Sequence, residues 1–384
     1  MTKVLLLNKI AKIGTDEFDA SRYQLGDAVE DPELIMVRSA NMHEMELGSS
    51  LLAIGRAGAG VNNIPVEECA KKGVVVFNTP GANANGVMEL TLASLFLASR
   101  DIVGGIAWAQ TLTEDVAKAV EKGKSKFAGC EIKGKTLGVI GLGAIGGMVA
   151  NAASLLGMKV IGYDPFVTVD AAWRLSSSIK RASGYDEIFE KSDYITLHVP
   201  ATKDTKGMIN ASAFAKMKDG VRIINLSRAD LVNSTDMIDA VKNGKVARYV
   251  TDFPTDDTVG VPGIVTIPHL GASTEESEDN CAVMAARELI DYCENGNIKN
   301  SVNYPNVSAP RNGMNRLCIM HYNIPAVISS VSTAFAENGI NIESLVNGSK
   351  GEFAYMIVDT NSEITDEIDA KVSAINGVIK VRNL

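Results

Sequence analysis

The sequence predicts an α/β protein built on doubly wound parallel sheets, with a smaller fold of different topology at its C-terminus. Short apolar runs of strand length alternate with helical segments as far as about residue 295, and this alternation is typical of parallel sheets. One strand-to-helix turn carries three spaced glycines. Residues 315–384 follow a different order of strands and helices. These three observations predict the fold class.

The glycine-rich turn is the most informative motif. An apolar run at Thr136–Ile140 leads directly into GLGAIG, and a helical segment follows. Gly141 permits the tight turn, Gly143 lets the backbone approach a pyrophosphate, and Gly146 lets the helix pack closely on the strand. The next apolar run ends at Asp164, which can accept hydrogen bonds from both ribose hydroxyls and would repel a 2′-phosphate. The pattern therefore predicts a Rossmann-type domain that binds NAD rather than NADP.

Further strand and helix candidates lie on both sides of this turn. The strand candidates are Val4–Asn8, Leu34–Val37, Leu52–Ile54, Val74–Phe77, Tyr194–Val199, Val221–Leu226, Ala247–Thr251 and Ile264–Ile267. Apolar periodicity predicts long helices at Met88–Val103 and Thr274–Asn295. A linker rich in Asn and Pro at 300–314 precedes a βαββαβ pattern, which predicts a ferredoxin-like C-terminal fold.

Composition excludes several classes of protein. The 384 residues carry a formal net charge of −9, which argues against nucleic acid or an anionic membrane as a main partner. The five cysteines are odd in number and contain no CxxC pair, as expected in a reducing compartment, and no metal-binding cluster is visible. The longest apolar stretch, Leu90–Ala98, is about half a membrane span, and the N-terminal apolar run is too short for a signal peptide. We therefore expect a cytoplasmic protein.

Two polar side chains at predicted strand ends suggest the chemistry. His269 stands in IPHLGAST and Arg228 in IINLSRAD, each just after a strand candidate. Ligands of open α/β sheets bind at the carboxyl ends of strands. A dehydrogenase acting on a hydroxy acid needs a cation for the carboxylate and a base for the hydroxyl proton. His198 also stands at a strand end, but its place in a strand pattern predicts a core or cleft residue, and His43 is expected in solvent.

At this point the chain resembles the D-isomer-specific 2-hydroxyacid dehydrogenases over nearly its whole length. The resemblance lies in GLGAIG with Asp164, in INLSR, in PHLGASTEE, in GRAGAGVNNI and in FNTPGAN. The C-terminal segment is similar to ACT effector-binding modules. The resemblance implies a flavodoxin-like substrate domain split between 1–87 and 273–305, an NAD-binding Rossmann domain at 88–272, and an ACT-like regulatory domain at 315–384.

The matching motifs also imply individual roles. Arg228 would hold the substrate carboxylate, His269 would be the general acid/base, and Asp252 would meet the nicotinamide carboxamide. Asp257 stands at the spacing of the family's glutamate partner for this histidine; Asp256 is beside it, and the choice between them stays open. The implied cofactor positions are Gly141, Gly143, Ala144, Ile145, Gly146, Asp164, Leu226, Ser227, Asp252, Gly271 and Ala272. The implied substrate positions are Arg38, Ser39, Arg56, Gly58 and Asn83.

The resemblance implies NAD-dependent oxidation of 3-phospho-D-glycerate to 3-phosphohydroxypyruvate, the first step of phosphorylated L-serine biosynthesis. Another D-2-hydroxy acid, such as glycerate, lactate or 2-hydroxyglutarate, is the alternative within this class, and a non-catalytic NAD-sensing module is the alternative outside it. A homodimer or homotetramer is expected. His321, Asn323 and Asn341 match effector-binding positions for L-serine, while Ala326 stands where the family's ligand loop carries glycine.

Overall fold

The computed structural model describes residues 1–311 and 315–384, which fold into two compact units. The first unit contains Met1–Asn83 and Glu278–Leu384, and the second contains Ala84–Ser277. The predicted linker at 300–314 ends in residues 312–314, which lie outside the described residues. The C-terminal fold lies within the first unit. The three-domain division and its boundaries therefore stay a prediction.

The N-terminal part of the first unit contains a five-stranded parallel sheet in the order β2-β1-β3-β4-β5. This is the flavodoxin-like order. Every residue of β3 is buried, as expected for a central parallel strand covered on both faces. The second strand is not among the sequence predictions. The elements are β1 Thr2–Leu7, α1 Lys12–Thr15, β2 Tyr23–Gly26, β3 Leu34–Val37, β4 Ala53–Arg56, α2 Val66–Lys71 and β5 Val75–Asn78.

The second unit contains a seven-stranded parallel sheet in the order β12-β11-β10-β9-β6-β7-β8. The strand order reverses between β6 and β9, so the ligand crevice of a doubly wound sheet is expected at their carboxyl ends. The predicted Rossmann-type fold is confirmed. The strands are β6 Thr136–Ile140, β7 Lys159–Tyr163, β8 Lys180–Arg181, β9 Tyr194–Leu197, β10 Val221–Asn225, β11 Val246–Thr251 and β12 Ile264–Thr266.

The helices of the second unit correct one sequence prediction. The helix predicted at Met88–Val103 begins earlier and ends at Ser99, and a separate helix follows. Asp101 explains the break, because its carboxylate caps the new helix by accepting from the N–H of Gly104 at 3.3 Å. The helices are α3 Ala84–Ser99, α4 Ile102–Ala109, α5 Val116–Gly123, α6 Ala144–Leu155, α7 Val169–Trp173, α8 Tyr185–Lys191, α9 Ala211–Lys216 and α10 Ser234–Lys242. Helix α11, Glu275–Asn295, then leads into the first unit.

Membrane-spanning potential is restricted to one bent helix pair. Within residues 1–311 and 315–384, no single helix is both long and apolar enough to cross a bilayer. Helices α3 and α4 pass the length and composition test only together, and they are bent by 73° at the break between them.

The C-terminal fold is a four-stranded antiparallel sheet with two helices, in the order β14-β15-β13-β16. The predicted βαββαβ topology is therefore confirmed. Ala326, which precedes the first helix, has a φ of 72°, in the left-handed region that favours glycine. The elements are β13 Asn315–Tyr322, α12 Val327–Glu337, β14 Ile342–Lys350, β15 Phe353–Thr360, α13 Asp366–Ser373 and β16 Val378–Asn383.

One hydrophobic core joins the two sheets of the first unit. Phe77 from the N-terminal sheet and Tyr292 from α11 lie in the same buried cluster as Cys318 and Tyr355 from the C-terminal sheet. The Tyr355 hydroxyl donates to the carbonyl of Gly296 at 2.6 Å. The C-terminal fold is therefore packed against the end of α11 rather than tethered loosely.

A buried ion pair fastens this junction. Arg316 on β13 and Asp359 on β15 both have fully buried side chains, and the arginine donates twice to the carboxylate, at 2.6 and 2.8 Å. The same guanidinium donates to the carbonyl of Asn295 at 2.7 Å and to that of Pro310 at 2.8 Å. Arg316 thus connects the C-terminal sheet with the last carbonyl of α11 and with the segment that follows it.

We expect Arg316→Met to destabilise the first unit by about 3–5 kcal/mol, because the Asp359 charge would remain buried without its partner. The change should appear as a lower urea midpoint. Lys71→Met is the matched control, since Lys71 pairs with Glu67 on an exposed helix face and such pairs contribute at most about 1 kcal/mol. An equal, small effect of both substitutions would contradict the structural role of Arg316.

Candidate active site

The glycine loop has the shape that a pyrophosphate requires. Gly141 has a φ of +90°, and a Cβ atom at Gly146 would lie 1.9 Å from the Gly141 carbonyl oxygen, so neither position accepts a side chain. A Cβ atom at Gly143, by contrast, would meet no atom within 4 Å. Ala144 and Ile145 open helix α6, whose first N–H groups have no acceptor within the helix. Open space in front of these donors fits the predicted phosphate cradle.

Asp164 is held beside this loop. Its Oδ2 accepts from the backbone N–H of Leu142 at 2.9 Å, and its Oδ1 accepts from that of Phe166 at 2.9 Å. The first contact joins the end of β7 to the glycine loop that follows β6. The carboxylate is therefore oriented by backbone donors where the sequence places the ribose-binding acid.

We expect Asp164→Ala to weaken NAD binding by about 10-fold or more, because the ribose loses a charged acceptor, and to narrow the preference for NAD over NADP. Steady-state KM values for both cofactors measure the effect. Asp170→Ala, which removes an exposed carboxylate from the nearby helix α7, is the control. A parent enzyme that uses both cofactors equally would contradict this role of Asp164.

Arg228 and His269 meet a common aromatic ring. Arg228 follows β10, His269 follows β12, and Phe253 follows β11. The ring centroids of Phe253 and His269 are 4.6 Å apart, and the Arg228 guanidinium carbon lies 6.0 Å from the Phe253 centroid. His269 has a φ of 31°, and strained backbone of this kind in a non-glycine residue is typical of functional sites. Sequence reasoning missed Phe253, although it directly follows Asp252.

Asp252 is almost fully buried, at 1% exposure, and one of its oxygens lacks a partner. Its Oδ2 accepts from the N–H of Gly271 at 3.1 Å, while Oδ1 has no hydrogen bond to any residue that the structure describes. Burial raises the pKa of this carboxyl. An orphaned acceptor beside Arg228 and His269 fits the amide donor of a nicotinamide carboxamide. The residues therefore fit NAD at both ends.

The remaining predicted cofactor positions lie at the same strand ends. Leu226 is buried immediately after β10. The Ser227 hydroxyl donates to the carbonyl of Leu197, the last residue of β9, at 2.5 Å. Ala272, which follows Gly271, is half-buried. These contacts fix the loop after β10 against the neighbouring strand.

The predicted carboxylate partner of His269 is not in contact with it. Asp256 and Asp257 lie in an exposed turn closed by Thr258, whose hydroxyl accepts from the N–H of Thr255 at 3.0 Å. Across the described parts of the chain, no hydrogen bond or ion pair joins either aspartate to the imidazole. The assignment of Asp257 stays a prediction.

His198 packs beneath the glycine loop. Its Nε2 lies 3.0 Å from the hydroxyl of Thr196, and a Cβ atom at Gly146 would lie 3.3 Å from the His198 Cβ. Burial lowers the pKa of His198 to about 4, so the ring is neutral at pH 7. This agrees with the expectation of a core or cleft residue.

In the first unit, Arg38 and Ser39 directly follow β3. The side-chain oxygen of Asn8, just after β1, accepts from the N–H of Ser39 at 3.0 Å and from that of Ala40 at 2.7 Å. Asn8 therefore shapes the turn that carries the predicted phosphate-binding arginine. Arg38 itself pairs with Glu278 of α11, with 2.5 Å between Nη2 and Oε1. Asn8 and Glu278 were both missed by sequence reasoning, because partners so distant in sequence leave no local signal.

Arg56, at the end of β4, lies against the same turn. Its Nε donates to the Arg38 carbonyl at 3.1 Å. A Cβ atom at Gly58 would come within 1.5 Å of the Arg56 guanidinium, and Gly58 has a φ of 143°, so this position requires glycine. Asn83 is half-buried at the last position of this segment of the unit.

The predicted effector residues occupy different environments. His321 lies within β13 rather than after it, is 3% exposed, and has both ring nitrogens engaged. Its Nδ1 is 2.8 Å from the Tyr322 carbonyl and its Nε2 is 2.9 Å from the Asn347 side-chain oxygen. Asn323 and Asn341 are exposed. The strand extends further than the sequence pattern indicated, and this explains the displaced position of His321.

Comparisons with known proteins agree with this geometry. Residues 93–271 match the family model described as "D-isomer specific 2-hydroxyacid dehydrogenase, NAD binding domain". The chain is 31% identical over 409 residues to D-3-phosphoglycerate dehydrogenase 1 of Saccharomyces cerevisiae, covering 96% of this chain and 83% of that protein. It is 31% identical over 379 residues to the D-3-phosphoglycerate dehydrogenase of Escherichia coli K12, covering 94% and 89%.

A solved structure gives the same result. The NAD+-bound 3-phosphoglycerate dehydrogenase of Entamoeba histolytica superimposes with a TM-score of 0.62 at 28% identity, covering 79% of this chain and 98% of that one. Fold and site together define a dehydrogenase with a Rossmann-type NAD-binding domain. The chain belongs to the D-3-phosphoglycerate dehydrogenases of the D-isomer-specific 2-hydroxyacid dehydrogenase family.

Proposed function

We propose that this protein oxidises 3-phospho-D-glycerate to 3-phosphohydroxypyruvate with NAD, as the first step of phosphorylated L-serine biosynthesis. The observation that carries the proposal is the meeting of Arg228 and His269 on the Phe253 ring, next to the orphaned Oδ1 of Asp252. The names of the relatives support the substrate. The pair of arginines at 38 and 56 supports a phosphorylated rather than a neutral end of that substrate.

The side chains divide the reaction between them. Arg228 binds the substrate carboxylate through its planar fork and orients C2. His269 accepts the proton of the C2 hydroxyl as the C–H bond breaks. NAD, when bound, accepts the hydride that leaves C2, and Asp252 would hold its carboxamide. Arg38 and Arg56 receive the phosphate, with Ser39, Gly58 and Asn83 lining the same part of the substrate domain.

Further properties belong to the same proposal. We infer a cytoplasmic homodimer or homotetramer, because neither the charge nor the composition favours a nucleic-acid or membrane partner. L-Serine is the proposed effector of the C-terminal fold, at the positions of His321, Asn323 and Asn341. The left-handed Ala326 works against it, since a methyl group stands where the family's ligand loop carries glycine.

A substrate panel tests the activity. With NAD we expect turnover of 3-phospho-D-glycerate well above that of D-glycerate, D-lactate or D-2-hydroxyglutarate, measured as NADH absorbance with and without L-serine. His269→Ala should lower turnover by about 100-fold or more with little change in NAD affinity. Arg228→Lys should also impair catalysis, because an ammonium cannot reproduce the bidentate fork. His43→Ala, at an exposed histidine, is the control. No turnover of any panel member would favour the NAD-sensing alternative.

The role of Asp257 has its own test. If Asp257 supports His269, Asp257→Asn should move the acidic limb of the pH–rate profile for oxidation to lower pH, because the imidazolium loses a stabilising charge and deprotonates more readily. Asp256→Asn is the matched control. A shift with Asp256→Asn alone would transfer the role to that residue, and an unchanged profile in both variants would mean that His269 works without a carboxylate partner.

A further inference from the structure

The predicted phosphate-binding arginine already holds an internal anion. Arg38 and Glu278 form an ion pair across 240 positions of sequence, with 2.5 Å between Nη2 and Oε1. Glu278 lies in the first turns of α11, which begins after Thr274 accepts from the N–H of Ser277 at 3.1 Å. Both members of the pair belong to the first unit. The carboxylate thus occupies the donor that the substrate phosphate would use.

We propose that Glu278 is a specificity-determining residue that competes with the substrate phosphate for Arg38. This inference rests on the proposed function, because it assumes that Arg38 receives the phosphate. A phosphorylated substrate must separate the pair before the guanidinium can bind it. A D-2-hydroxy acid with a neutral end leaves the pair intact. Glu278 therefore weakens binding of the phosphorylated substrate without changing binding of its unphosphorylated counterpart.

The energetics allow this exchange. The two side chains are each 42% exposed, and ion pairs of this kind are weak because water and salt screen them. A phosphate dianion offers more charge and more acceptor oxygens to the arginine fork than one carboxylate does. The phosphate can therefore displace Glu278, but it then lies near a released like charge. Both effects raise the KM of the phosphorylated substrate.

Arg38 keeps its place during the exchange because other contacts hold the turn. Arg56 donates to the Arg38 carbonyl, and Asn8 accepts from the N–H of Ser39. Glu278 is therefore not needed to keep the backbone of Arg38 in position. Removing its charge should improve phosphate binding rather than destroy the site.

Glu278→Gln tests the proposal, since it removes the charge and preserves the size of the side chain. We expect the KM for 3-phospho-D-glycerate to fall about fivefold, with kcat nearly unchanged. The inhibition constant of inorganic phosphate should fall by a similar factor. The KM of D-glycerate, or its inhibition constant where turnover is too slow, should not change. The same pattern is expected in reverse with 3-phosphohydroxypyruvate and hydroxypyruvate.

Two controls separate competition for Arg38 from a general effect of charge. Glu276→Gln removes an exposed charge from the same helix and should leave both substrates unaffected. In an Arg38→Gln background, Glu278→Gln should no longer lower the KM, because the arginine through which it acts is absent. Melting temperatures of all variants establish that they fold.

Failure of the inference is distinguishable from failure of the proposed function. If the parent enzyme does not oxidise 3-phospho-D-glycerate, the proposed function is wrong and this inference is wrong with it. If the parent does and Glu278→Gln leaves the KM unchanged or raises it, only the competition is wrong. An equal fall for D-glycerate, or an equal effect of Glu276→Gln, would also overturn it in favour of a general charge effect.

Discussion

The parallel arrangement of strands is the constraint on which the active-site chemistry depends. In a parallel sheet all carboxyl ends lie at one edge, so residues far apart in sequence meet there. Each chemically important side chain of this protein directly follows a strand or lies at its end. They are Asn8 after β1, Arg38 after β3, Arg56 at the end of β4, Asp164 after β7, Arg228 after β10, Asp252 after β11 and His269 after β12. The sheets therefore position the site, and the loops supply its identity.

The two carboxylates of the cofactor site illustrate different uses of burial. Asp164 has both oxygens occupied by backbone donors, so it is oriented before any ligand arrives. Asp252 is buried with one oxygen unpaired, and an unpaired buried acceptor costs stability. That cost is recovered only when a ligand donates to Oδ1. Asp164 thus contributes a fixed shape, whereas Asp252 contributes a binding energy stored in the folded protein.

The sequence predicted the features that depend on local patterns and missed those that depend on distant contacts. The glycine loop, Asp164 and the strand ends bearing Arg228 and His269 have local signals. The break in the helix at Asp101 was missed because apolar periodicity continues through it and only the cap interrupts the helix. Phe253 and Glu278 have no local signal, since each acquires its role from a residue on another element. Domain boundaries and the partner of His269 remain predictions.

The position of Glu278 follows from the packing of α11. Ala285, Leu289 and Tyr292 on this helix are fully buried in the core of the first unit. At the other end of the helix, Arg316 donates to the carbonyl of Asn295, within the junction with the C-terminal sheet. A helix packed along one face and bound at its end cannot rotate without breaking these contacts. The charge of Glu278 near Arg38 is therefore a constant property of the fold, and the substrate phosphate has to overcome it in every catalytic cycle.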